Sequence, residues 1–308
     1  MSSSDKTFDV VIIGGGPGGM AASLWCAELG LTSIILERRP ELGGQLLQTH
    51  NQIANYPGVD AANGRGLRDI FNAQIDGNST VKKLGIEATA LLDNGAVVQL
   101  SSGEKLAARA VIIATGVRRR RLNVAGEIEF IGRGVLQSGV NESDSARGKT
   151  VVVVGGGDAA LENALILAAV AKRVFLIHRS NRFSARAEFI ERVSKNGTIE
   201  VLCDSVVTAI VGDRAVGNVQ ISNNVTGQIS DLETDAIIVR IGFEPNSEMV
   251  RGVLNTDSHG YIHVDPSCET SLTNVFAIGD VANPLAPTIS TAVGQAAIAV
   301  KVIAQRLR

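Results

Sequence analysis

Two distant stretches of the chain share one pattern of apolar and polar positions. Each passes from a short unbroken apolar run through a cluster of glycines into a segment rich in Ala and Leu: Asp9–Leu29 (DVVIIGGGPGGMAASLWCAEL) and Thr150–Ala169 (TVVVVGGGDAALENALILAA). Consecutive β-branched residues predict a strand buried on both faces, and the register after the glycines predicts a helix. Between the two, residues 85–111 alternate polar and apolar around Asn94-Gly95 and Ser102-Gly103. This predicts antiparallel strands with tight turns, a small sheet laid on the first unit. A second meander is expected over Glu200–Val239, turning at Gly212-Asp213 and Asn223-Asn224. After Pro245 the chain supplies only a strand (Asn274–Ile278), Gly279-Asp280 and a helix over about Thr288–Leu307. So short a piece needs an existing sheet to join. The expected fold is therefore α/β, with two Rossmann-like three-layer domains: one over 118–244 is inserted into a discontinuous other, 1–117 with 245–308.

Composition narrows the partners. A chain of 308 residues with 45% hydrophobic content can bury two domain-sized cores. Its formal charge of -2 offers a phosphate backbone no counter-charge, so nucleic acid is not an expected partner. Cys26, Cys203 and Cys268 are too scattered for a disulfide framework and show no metal-ligand spacing, which points to a reducing cytoplasm. Met1–Thr7 is short and polar and the next apolar run meets glycines at once. Neither a leader nor a membrane span is expected.

The chemistry sits at the glycines. Gly14-x-Gly16-x-x-Gly19 follows a predicted strand, opens a predicted helix at Pro17-Gly18, and is followed by Glu37-Arg38 at the end of the next strand. Gly14 permits the tight turn, Gly16 lets the backbone approach a pyrophosphate, and Gly19 lets helix and strand pack closely. The helix N-terminus offers free N–H groups to phosphates, and Glu37 offers a carboxylate to ribose hydroxyls.

Further residues decide which dinucleotide is expected: Gly43-Gly44-Gln45-Leu46, Asn55-Tyr56-Pro57-Gly58, Ala114-Thr115-Gly116 and Gly279-Asp280. With these, the chain resembles the low-molecular-weight thioredoxin reductase family of pyridine nucleotide flavoproteins over essentially its whole length. The resemblance implies that the first site holds FAD, with its ADP half on the glycines and Glu37, Gln45 and Asn55 beside the flavin, and Asp280 on the ribitol chain. It also implies a homodimer formed through FAD-domain surfaces. Where that family carries Arg-Gln-Ala at the start of the last helix, this chain has Pro287-Thr288-Ile289. Backbone N–H groups at that start could still favour negative charge on a reduced flavin.

Gly155-x-Gly157-Asp158-x-Ala160 predicts the second dinucleotide site. The next strand ends in His178-Arg179 where an acid would favour NADH, and basic residues there favour a 2′-phosphate. The resembled family reads His-Arg-Arg-x-x-Phe-Arg at this point. Ser180 and Ser184 replace two of its arginines, with Arg182 and Arg186 close by. NADPH is expected ahead of NADH.

The family's electron relay, a Cys-x-x-Cys pair, is missing. Gly132-Arg133-Gly134-Val135 is present, but Ser138 and Asn141 stand at the two cysteine positions, and neither side chain carries electrons. No acid, base or nucleophile is expected among the side chains. The resulting expectation is an FAD-dependent oxidoreductase that takes hydride from NAD(P)H and passes electrons directly to an acceptor. That acceptor is a ferredoxin- or flavodoxin-type carrier, a quinone, a small dye or oxygen. The rival is a non-enzymatic flavin-binding or redox-sensing protein with a weakened nicotinamide site. Two features stay open in the sequence. Arg118–Arg121 is either a solvated crossover or a docking patch for an acidic carrier, and Arg240 within IIVRIGF either meets an anion or faces solvent.

Overall fold

The computed structural model describes residues 7–308; the polar N-terminal stretch, Thr7 apart, lies outside them. In chain order the described strands are β1 (Phe8–Ile13), β2 (Ser33–Glu37), β3 (Val81–Leu84), β4 (Ala88–Leu92), β5 (Val97–Leu100), β6 (Lys105–Ile113), β7 (Val117–Arg119), β8 (Val135–Leu136), β9 (Thr150–Val154), β10 (Arg173–Ile177), β11 (Ile199–Leu202), β12 (Ser205–Gly212), β13 (Val216–Asn223), β14 (Ile229–Glu233), β15 (Ala236–Val239), β16 (Phe243–Pro245) and β17 (Val275–Ala277). The α-helices are α1 (Pro17–Glu28), α2 (Gly64–Asp76), α3 (Asp158–Ala168), α4 (Ala187–Ser194) and α5 (Ile289–Leu307). They fall into two compact units, the first made of the described residues up to Arg118 with Glu244–Arg308, the second of Arg119–Phe243.

The first unit is built on one sheet in the order β3-β2-β1-β6-β5-β4, with β17 also paired to β6. Strand β6 belongs to two neighbourhoods. Its first residues pair antiparallel with β5, whereas Val111–Ile113 pair in parallel with β1 on one side and β17 on the other. The meander over 85–111 is therefore not a separate small sheet laid on the unit but a continuation of the main one. The reason lies in β6 itself: its burial alternates at first and is then unbroken from Ala110 to Ile113. One-sided burial thus gives way to two-sided burial within a single strand. Alternate residues of the sheet feed two cores. Val10, Ile12, Ile112 and Phe276 pack under α1, α2 and α5, while Val11, Ile13, Val111 and Val275 pack on the opposite face with Val98 and Ile262.

The second unit repeats the plan. Its parallel sheet has the order β11-β10-β9-β15-β8, and a three-stranded antiparallel sheet β12-β13-β14 accompanies it. The meander is narrower than the 200–239 alternation suggested, because β11 and β15 at its two ends join the parallel sheet. Val151 and Val153 face α3 and α4, and Val152 and Val154 face Phe130, Val207 and Val219. The two crossover segments, β7 and β16, pair as a two-stranded ribbon.

Close packing of α1 on β1 is set by Gly19, where an added Cβ would lie 1.9 Å from the Gly14 carbonyl oxygen. Backbone cannot give way as a side chain can. Gly19→Ala is expected to destabilise the protein by about 3 kcal/mol, read from the urea midpoint. Gly66 lies inside α2 with only the Asn63 Oδ1 near, at 3.8 Å. Gly66→Ala is expected to stabilise by about 0.5–1 kcal/mol in the same measurement, through helix entropy.

Candidate functional site

The first candidate site lies where β1 gives way to α1. Gly14 has φ +109, and a Cβ there would lie 2.3 Å from the Ala114 carbonyl oxygen, so the turn is held against the segment after β6. Gly16 is different. Its φ is -76, and an added Cβ would meet only the Gly44 Cα, at 3.9 Å. Protein packing does not require glycine at this position and leaves the space before the backbone open. Gly16 caps α1 with no side-chain hydrogen bond, Pro17 sits in the first turn and no acid is present there. The orphan N–H groups and the positive end of the helix are left for an anion. The residues present therefore fit a dinucleotide pyrophosphate.

Glu37 is buried at the end of β2, and its carboxylate is already committed to backbone. Oε2 accepts the Gly15 N–H at 2.7 Å and Oε1 accepts the Arg39 N–H at 2.9 Å. It therefore shapes the glycine turn while keeping further lone pairs free to accept. The Gly43 N–H donates to the Gly15 carbonyl at 2.7 Å, bringing Gly44 against Gly16. Gln45 Nε2 donates to Asp280 Oδ2 at 3.2 Å across 235 residues of sequence. Burial holds the Asp280 carboxyl above its ordinary range, with the Gln45 contact opposing. Gly279 is fixed by its N–H donating to Gln295 Oε1 at 2.7 Å, and α5 starts at Ile289 with Thr288 Oγ1 accepting the Thr291 N–H. The structure thus gathers Gly14–Gly19, Glu37, Gly44–Leu46, Ala114, Gly279 and Asp280 at the C-terminal ends of β1, β2, β6 and β17. Thr115 and Gly116 instead meet Asn246, which closes the loop after β6. Arg38 and Asn55 are exposed, and among the described residues no hydrogen bond ties either side chain to the cluster. Gln295 and Asn246 carry no motif and were invisible to sequence reasoning.

In the second unit the β9–α3 turn repeats these roles with different atoms. A Cβ on Gly155 would lie 2.2 Å from the Arg240 carbonyl oxygen, and Ala160 packs fully buried where the first unit has Gly19. Gly157, like Gly16, caps its helix without a side chain and is nearly open, with Ser184 Oγ 3.7 Å from an added Cβ. His178 lies over Gly156, stacked on Phe183 with centroids 5.2 Å apart, and its Nε2 is 3.0 Å from both the Arg182 carbonyl and Ser180 Oγ. Arg179 and Arg182 are exposed. Arg186 is bound to Asp158: its backbone N–H donates to Oδ1 at 2.7 Å and its Nε to Oδ2 at 2.8 Å.

Comparison with known proteins gives the frame for these two turns. The family model described as pyridine nucleotide-disulphide oxidoreductase matches residues 8–296. This chain belongs to that family. It is 33% identical over 306 residues to a thioredoxin reductase of Listeria innocua, covering 97% of this chain and 93% of the relative. It is 30% identical to a 34.2 kDa protein in the rubredoxin operon of Clostridium pasteurianum, covering 96% of each. Among solved structures, Lactococcus lactis thioredoxin reductase in its FR conformation superposes with a TM-score of 0.79 at 32% identity, covering 97% of this chain and 98% of that one. The chain is a thioredoxin-reductase-like flavoprotein oxidoreductase, of a family that works with FAD and NADPH.

Within this oxidoreductase frame, the segment that carries Ser138 and Asn141 is tied down by hydrogen bonds. Glu142 Oε2 accepts the N–H groups of Gln137 and Ser138, each at 2.7 Å, Asn163 Oδ1 accepts that of Gly139, and Ser138 Oγ accepts that of Asn141 at 3.2 Å. Arg240 is buried rather than solvent-facing. Its guanidinium donates to the carbonyls of Val239 and Gln137. Burial, with the Arg119 charge nearby, pulls it down to about 10 against the pull of Glu142. The Arg118–Arg121 run is largely committed: Arg118 pairs with Glu244 and Glu248, Arg119 lies over the Phe243 ring and Arg120 donates to the Phe243 carbonyl. No group of three His, Cys, Asp or Glu suited to a metal ion occurs among the described residues, nor a helix long and apolar enough to cross a membrane.

Burial disfavours the thiolate form of all three cysteines. Burial pushes Cys26 up to about 12 and Cys268 up to about 11, and burial also raises Cys203, which lies one residue beyond β11. The thiolate is the reactive form, so native protein at pH 8 is expected to react slowly with Ellman's reagent. Half-buried Cys203 should be modified first and Cys26 only on unfolding, as peptide mapping would show. Rapid modification of Cys26 in the native protein would contradict this.

Proposed function

We propose that this protein is an FAD-dependent oxidoreductase that accepts hydride from NADPH, with NADH second, and delivers electrons to an acceptor without a dithiol relay. The observation that carries the reading is the pair of open, uncapped glycine turns, Gly16 before α1 and Gly157 before α3, in a chain with no Cys-x-x-Cys. In this reading the first unit takes FAD and the second the nicotinamide dinucleotide. Bound FAD supplies the two-electron chemistry.

The protein's own residues bind and orient. The N–H groups at the start of α1 hold the pyrophosphate, Glu37 orients the ribose while fixing the Gly15 and Arg39 N–H groups, and Gln45 and Asp280 form a polar pair for the ribitol and flavin edge. Gly18, Leu46, Thr288 and Ile289 complete the walls, and Arg38 and Asn55 would close over the bound group. The start of α3 serves the second pyrophosphate, with Arg179 and Arg182 for a 2′-phosphate. Homodimerisation through the first unit follows from the family resemblance. A small electron-carrier protein is the favoured acceptor, supported by the relative named for its rubredoxin operon.

Anaerobic stopped-flow tests the reading. The flavin absorbance of the purified protein is expected to bleach within seconds of mixing with NADPH and more weakly with NADH. A thioredoxin added with NADPH should stay oxidised, while a rubredoxin- or ferredoxin-type carrier should be reduced faster than oxygen. A protein that bleaches with neither nucleotide yet reduces photochemically would be a flavin-binding or sensing protein instead. Thioredoxin reduction that disappears on Cys203→Ser would restore a dithiol route.

A further inference from the structure

The segment after β10 is stitched to the second glycine turn at two residues, Ser184 and Arg186. The Gly156 carbonyl accepts both the Ser184 N–H, at 2.9 Å, and Ser184 Oγ–H, at 3.3 Å. Asp158, the first residue of α3, accepts Arg186 twice, through its backbone and through Nε. The Arg186 guanidinium is further placed by the Phe189 ring, 4.7 Å from its centroid. The pair is well exposed, with 67% and 45% of the two side chains accessible, so it adds little to fold stability. Its position is more telling. An acid in the first turn of a helix competes with any external anion for the positive helix end, and Asp158 stands in the turn that would take a dinucleotide pyrophosphate.

We propose that Arg186 is a positioning residue that neutralises Asp158, keeping the start of α3 open to a diphosphate, and that it does not read the 2′-phosphate. The inference rests on the nicotinamide reading of the second unit. With both Asp158 oxygens on Arg186 and both Ser184 donors on Gly156, selection of NADPH over NADH falls to Arg179 and Arg182, whose guanidinium groups are exposed. Removing the Arg186 side chain leaves the Asp158 charge unpaired at the diphosphate position, with only the backbone N–H of residue 186 on Oδ1, a penalty common to every dinucleotide.

Isothermal titration of the FAD-saturated protein with NAD+ and with NADP+, which share the diphosphate and differ in the 2′-phosphate, tests this at low ionic strength. Arg186→Gln is expected to weaken both ligands by the same factor, roughly threefold to tenfold. The loss should shrink in high salt, and adding Asp158→Asn to Arg186→Gln should recover it. Arg182→Gln should weaken NADP+ alone. Loss confined to NADP+ in Arg186→Gln would make Arg186 a 2′-phosphate ligand and overturn the proposal. So would unchanged affinity for both ligands, or a double variant no better than the single one. Wild-type protein that binds neither ligand would instead sink the nicotinamide reading itself.

Discussion

Helix α1 lies so close to strand β1 that one methyl group at Gly19 would strike the Gly14 carbonyl. Much of the first unit hangs on that contact. With the helix drawn down onto the strand, its uncapped N-terminus is held at the C-terminal end of β1, where Glu37 fixes Gly15 and Gly43 reaches the Gly15 carbonyl. The same turn leans on Ala114 at the end of β6, so three strands fix one loop. An anion site made of backbone N–H groups needs this rigidity, since no charged side chain in the first turn of α1 could compensate for a misplaced helix.

The second unit reaches a similar geometry by other means. Ala160 stands where the first unit has Gly19, and the turn is braced by the Arg240 carbonyl and by the His178 ring over Gly156. Arg240 thus has two jobs at two ends: its backbone carbonyl limits Gly155, and its guanidinium holds Gln137 at the start of the Ser138 segment. A buried cation satisfied by neutral carbonyls is costly to form. Glu142 offsets part of that cost while anchoring two N–H groups of the same segment.

What could be read from the sequence follows from which signals are local. The glycine turns, their strands and helices, and the closing helix with Thr288 at its start all announce themselves over a few residues. The sharing of β6 between two kinds of pairing was visible only as a change of rhythm inside KLAARAVII, and the antiparallel turns nearby masked it. Contacts such as Gln45 with Asp280, Gln295 with Gly279 and Asp158 with Arg186 join residues far apart in the chain, or pair a side chain with backbone, which leaves no trace in composition or spacing. Arg240 illustrates the limit: its charge was conspicuous, but its acceptors are carbonyls that every residue possesses.

The position of β17 has a consequence for synthesis. This strand fills the β6 edge that β5 leaves free and contributes Phe276, fully buried, to the core under the helices, yet it lies after the whole of the second unit in the chain. As the polypeptide emerges, the second unit is contiguous and complete while the first still lacks a strand and its longest helix. The order in which the two become finished on the ribosome is therefore the reverse of the order in which they begin.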